Sequence, residues 1–95
     1  MNATTHFTTD HAERYLGTLC KHFGHKVPVT HAGRSGEITL PFGACALTAE
    51  DTGLTMTAQA PDQAQLDRAV QVITSHLERF AFRENPELDW AYTPA

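Results

Sequence analysis

The stretch Glu37-Ile38-Thr39-Leu40-Pro41-Phe42-Gly43-Ala44-Cys45-Ala46-Leu47-Thr48-Ala49-Glu50-Asp51-Thr52-Gly53-Leu54-Thr55-Met56-Thr57-Ala58-Gln59 decides the fold. It contains three alternating runs, Glu37 to Pro41, Ala44 to Ala49 and Leu54 to Gln59, broken by the turn-rich pieces Phe42-Gly43 and Glu50 to Gly53. A strand turns successive side chains to opposite faces. Ile38, Leu40, Cys45, Leu47, Ala49, Leu54, Met56 and Ala58 therefore share one oily face. Glu37, Thr39, Thr48, Thr55, Thr57 and Gln59 line the other, which is rich in threonine. Connections this short cannot carry a crossover, so the strands are antiparallel.

Upstream, Lys26 to His31 reads as a further strand before the turn Ala32 to Gly36, and Thr4 to Thr8 as an additional edge strand. Between them Ala12, Leu16, Leu19 and Phe23 recur at helical spacing, with Asp10 as the cap. The helix should end at Phe23 or Gly24, a glycine that suits a left-handed C-cap. Cys20 borders its buried face, His11, Tyr15, Thr18 and His22 form a neighbouring stripe, and Arg14 and Lys21 point to solvent. Downstream, Pro61 and Asp62 open a second helix, Asp62 and Gln65 stand at capping-box spacing, and Leu66, Val70, Ile73, Leu77 and Phe80 make its apolar stripe. Arg79 and Arg83 lie one turn apart on a more polar side. After Pro86, Leu88, Trp90 and Tyr92 alternate as a short strand or extended tail would. The fold class is α+β: an antiparallel sheet of four to five strands with two helices packed on one face, in β-α-β4-α order plus a short C-terminal strand or tail. Residues 1–95 form one domain.

Composition narrows the function. A formal net charge of -4 and 41% hydrophobic residues exclude a disordered chain and argue against nucleic-acid binding. The start lacks the basic and apolar regions of a secretory signal, and no run approaches the ~20 apolar residues of a membrane span. A cytoplasmic location without membrane association is expected. Cys20 and Cys45 are then expected as free, buried thiols.

Potential ligand chemistry concentrates in Cys20-Lys21-His22-Phe23-Gly24-His25-Lys26. Cys20, His22 and His25, with Cys45 or His76, are donor types that suit zinc, iron or copper. Cys20 and His22 nevertheless differ by about 200° around a helix. No metal and no cofactor is the expectation. Lys21, His22, His25 and Lys26 with His76, Arg79 and Arg83 would instead form a positive patch on a negative protein, suited to a carboxylate, a phosphate or a flavoprotein surface. The competing reading has these cations complementing helix C-termini and pairing with Glu78 or Glu84. Tyr15, Phe80 and Trp90 would line a pocket for a flat ligand or cover the core edge. Neither a nucleophile elbow nor a Gly-rich phosphate loop is present, so catalysis is unsupported, with His22 or His76 as acid/base the alternative. The threonine face leaves open a homodimer or a purely structural interaction domain.

Glu13-Arg14-Tyr15-Leu16, Leu19 to Lys26, Phe42 to Leu47, Ser75 to Glu84 and Asp89-Trp90 resemble the bacterial domain of unknown function 2218 family. The similarity spans nearly the whole chain, and the block ending in Arg83-Glu84 is its most specific part. The resemblance carries over Arg14, Tyr15, His22, Lys26, His76, Arg79, Phe80 and Trp90. It implies small free-standing domains, some linked with siderophore-interacting flavin reductases, and assigns no catalytic residue. The expected function is a non-catalytic binding or accessory module of iron or siderophore metabolism. Arg14, Tyr15, His22, His25, Lys26, His76, Arg79, Arg83 and Trp90 are its candidate contact residues, and a siderophore-reducing flavoprotein or a small anion its partner.

Overall fold

The alternation over Glu37 to Gln59 becomes three adjacent strands of one sheet in a computed structural model, which describes residues 1–93. In chain order the elements are β1 (Asn2–Thr8), α1 (Ala12–Phe23), β2 (Val29–Ala32), β3 (Ser35–Leu40), β4 (Gly43–Glu50), β5 (Gly53–Gln59), α2 (Gln63–Phe80), a 3₁₀ turn (Phe82–Glu84) and β6 (Ala91–Thr93). The sheet runs β2-β3-β4-β5-β1-β6, every pair antiparallel. It thus has six strands where four to five were expected, because the C-terminal segment, expected as a strand or a tail, joins the sheet as β6. The tail pairs Tyr92 with Ala3, so β1 lies between β5 and β6 and is not an edge strand.

The predicted oily face is the buried one. Ile38, Cys45, Leu54, Met56 and Ala58 are fully buried beneath Leu16 and Leu19 of α1 and Leu66, Ala69, Ile73 and Leu77 of α2. Val70 and Phe80, predicted as core, are half-buried because they flank the face of α2 that meets the sheet. On the opposite face Glu50 accepts from Thr55, Thr55 meets His6 at 2.9 Å and Thr4 meets Thr57 at 3.3 Å, a surface satisfied by its own side chains.

Several boundaries move for local reasons. Asp10 does not cap α1. The N-cap is His11, and the hydroxyl of Thr9 accepts from the His11 N–H at 3.1 Å. Asp62 does cap α2, accepting from the Gln65 N–H at 2.8 Å. Gly24 is right-handed, with φ of -60°, because its N–H continues the helix to the Cys20 carbonyl. The N–H groups of Lys26 and Val27 then bond to the Phe23 carbonyl, which shortens the predicted strand from Lys26 to a start at Val29. Gly33, with φ of 59°, opens the two-residue loop between β2 and β3, a position that favours glycine.

Candidate functional site

α1 and α2 touch along antiparallel segments: His22 lies against His76 and Phe80, while Tyr15 reaches Glu84 beyond the end of α2. Residues 15 and 22 stand about two turns apart, so the helix seam has two separate polar ends.

At the first end the His22 and His76 rings are 4.9 Å apart between centroids, Phe23 is 4.7 Å from His76 and Phe80 is 5.4 Å from His22. The Nδ1 of His76 lies 2.7 Å from the carbonyl of Val72, one turn back, and donates to it. A hollow of about 380 Å³ opens beside the pair, lined by Thr18, Lys21, His22, His25 and Phe80. Burial pushes the pKa of His22 below its ordinary value, and His76, Lys26, Arg79 and His25 push it the same way. The charges that shift His22 are those of basic groups. Among the described residues the ion pairs belong to Arg34, with Glu13 at 3.1 Å and Asp51 at 3.2 Å, and none engages this cluster.

At the second end Thr9 donates to Glu84 at 2.7 Å and the buried Tyr15 hydroxyl donates to its other oxygen. Those two donors hold the Glu84 carboxyl below its ordinary range, with His11 and Arg14 assisting, and burial together with Glu84 raises Tyr15. The expected pairing of Glu84 with Arg79 or Arg83 is replaced by this neutral-donor clasp. α2 ends at Phe80, so Arg83 belongs to the 3₁₀ turn, where its guanidinium lies 5.7 Å from the Phe82 ring. Trp90 donates its indole N–H to Thr74 at 2.9 Å.

The predicted contact residues therefore divide. His22, His25, Lys26, His76 and Arg79 come together, Arg14 and Tyr15 sit at the Glu84 clasp, and Arg83 and Trp90 lie elsewhere. Tyr15, Phe80 and Trp90 have separate partners and do not line one pocket. Cys20 and Cys45 are free and buried, and burial, with the charge of Cys20 second, pushes the Cys45 thiol up to about 12. Cys20 and His22 leave α1 on different sides, and among the described residues no three His, Cys, Asp or Glu side chains form a cluster able to hold a metal. The Thr9–Tyr15–Glu84 clasp escaped sequence reasoning, since nothing local in residues 9 or 15 points to a partner 69 or 75 residues away.

A family model described as an uncharacterised protein conserved in bacteria, DUF2218, matches residues 4–91. The chain belongs to this family. DUF2218 thus covers both ends of the helix seam and every predicted contact residue. A solved structure, the NMR structure of PA4090 from Pseudomonas aeruginosa, is 33% identical and has a TM-score of 0.83 over 99% of this chain and 98% of that one. Comparison with curated proteins gives no match. No helix of the described DUF2218 chain is long and apolar enough to cross a membrane.

Proposed function

We propose that this protein is a non-catalytic, cytoplasmic binding module whose contact region is the basic hollow at the His22–His76 end of the seam, and whose ligand is an anion or an acidic partner surface. One observation carries the reading: the hollow beside the adjoining His22 and His76 rings is lined by Lys21, His22 and His25 with no carboxylate, and neither described ion pair engages that cluster. Uncompensated cations around an aromatic floor suit an anion with a flat or apolar body. The non-catalytic part rests on the sequence, which has neither a nucleophile elbow nor a Gly-rich phosphate loop; His76, whose Nδ1 donates to a backbone carbonyl, is the residue the enzyme alternative would use. The setting we propose, iron and siderophore metabolism with a siderophore-reducing flavoprotein as partner, comes from the family resemblance. A ferric catecholate siderophore, strongly anionic and aromatic, has the matching chemistry.

Titration of ¹⁵N-labelled protein with a ferric catecholate siderophore, haem and a siderophore-reducing flavoprotein tests this. The expected result is a shift of the Lys21, His22, His25 and Phe80 resonances with at least one of the three, weakening as salt rises. Binding should also tighten as pH falls, because a bound anion favours protonated His22. No binding of any of the three, with unchanged iron-dependent growth of a deletion strain, would remove the reading. Substrate-dependent turnover lost in a folded His22→Ala variant would replace it with the enzyme alternative.

A further inference from the structure

β2 is the outer strand at its end of the sheet, and its hydrogen-bonding phase can be read from one contact. The Pro28 carbonyl accepts from the Thr39 N–H at 3.0 Å, and the register pairs Thr30 with Glu37 and Ala32 with Ser35. Residues of an antiparallel edge strand bond inward at every second position. Thr30 and Ala32 thus bond toward β3, and the N–H and C=O groups of Val29 and His31 face away from the sheet. None of those four groups has a hydrogen-bond partner among the described residues. They form a ready template for one more strand.

The side chains of Val29 and His31 follow Ile38 and Gly36 onto the helix side, so they enter the space between β2 and α1. That space is a groove of about 360 Å³, walled by Gly17, Cys20, Lys21 and Gly24 along α1 and by Val29 and His31 of β2. A Cβ placed on Gly17 would meet only the His31 ring, at 4.0 Å, so the glycine keeps the groove wide. Its charged and titratable lining is Lys21, His25 and His31, besides the Cys20 thiol, and no carboxylate borders it.

We propose that the free edge of β2 and the groove beside it take an extended acidic peptide segment of another protein as an added strand. Backbone bonds to Val29 and His31 supply affinity, and alternate side chains reach Lys21, His25 and His31. A second copy of this chain is the poorer occupant, because pairing β2 with β2 brings His31 and the basic rims of two copies together. The groove shares Lys21 and His25 with the basic hollow, yet the inference stands on the unpaired strand edge and not on the anion reading.

The probe is a blocked heptapeptide of alternating glutamate and valine, with the lysine and valine counterpart as control. Saturation with the acidic peptide should slow amide exchange at Val29 and His31, and the control peptide should not. Gly17→Leu fills the groove while keeping every charge, and His31→Pro removes an outward N–H that the sheet does not use. Each should weaken the acidic peptide by about tenfold or more, whereas His31→Ala, which keeps the N–H, should retain part of the affinity. Shifts confined to His22, His76 and Phe80, with Val29 and His31 exchanging as in the free protein, would overturn the inference and leave the hollow as the anion site. Wild-type binding by a folded Gly17→Leu variant would also overturn it. So would concentration-dependent protection of β2 without peptide, which would assign the edge to a second copy.

Discussion

His22 is partly desolvated among groups of its own charge, so the fold favours its neutral ring and resists protonation. With a folded pKa below the ordinary 6.5, the unfolded chain takes up the proton first as pH falls. The His22 contribution to stability is therefore full above about 6.5 and declines below it. Urea midpoints measured at about pH 7.5 and about pH 5.5 should fall for the wild type and fall less for His22→Gln. Glu84 obeys the same sign at lower pH. Its carboxylate is favoured by Tyr15 and Thr9, so that contribution holds above the ordinary 4.5 and is lost as acid protonates it. Tyr15→Phe should move the Glu84 titration, followed by NMR, back toward 4.5 and cost about 1 kcal/mol in denaturant melts. Of these two residues, His22 was legible as a member of a basic cluster because several basic neighbours lie within a few residues of it in sequence. Glu84 was not, because an acidic side chain at a helix end reads as a partner for the nearest arginine until tertiary structure supplies a tyrosine.

The elements were legible wherever periodicity and chemistry agreed. α2 fully buries three residues of its predicted stripe, Leu66, Ile73 and Leu77, with Ala69 in place of Val70, and Leu77→Ala should cost about 2 to 5 kcal/mol, measured by denaturant unfolding. α1 was read correctly along its buried face but not at its start, where His11 and not Asp10 is the N-cap and the Thr9 hydroxyl accepts from the His11 N–H. β6 was the hardest to place. Three residues alternate too briefly to distinguish a strand from a tail, and only β1 beside them settles the matter. The seat of α1 on β3 depends on Gly36, where an added Cβ would stand 2.7 Å from the Cys20 sulfur and 3.2 Å from the Leu16 side chain. Gly36→Ala should cost about 1 to 3 kcal/mol through overpacking. Because the closest obstacle is one atom, Cys20→Ala should recover part of that loss, giving a coupling of about 1 kcal/mol in a double-mutant cycle. Strictly additive costs would show that the helix, and not the sulfur, sets the spacing.

Across the whole molecule the sheet is built outward from β4 and β5, whose antiparallel ladder joins Ala44 through Glu50 to Gln59 through Gly53. Native-state hydrogen exchange should find the slowest amides there and the fastest in β2 and β6. Within β1, the amides bonded to β6 should exchange before those bonded to β5. A plain reversal of either order would mean that the C-terminal strand is held more firmly than its three residues imply. The buried Thr5 hydroxyl, which donates to the Asp89 carbonyl at 3.0 Å, adds a second tie between the two ends of the described chain. The position of β1 has a consequence for synthesis. Leaving the ribosome before both of its neighbours, it must wait for β5, whose Gln59 pairs with Asn2, and then for β6, whose Thr93 pairs with the same residue. During that interval Phe7, Leu16 and Leu19 have no finished sheet to cover them. The nascent chain therefore passes through translation with its first oily segment exposed, and a ribosome stalled before β5 emerges would present a natural client for a chaperone that binds apolar segments.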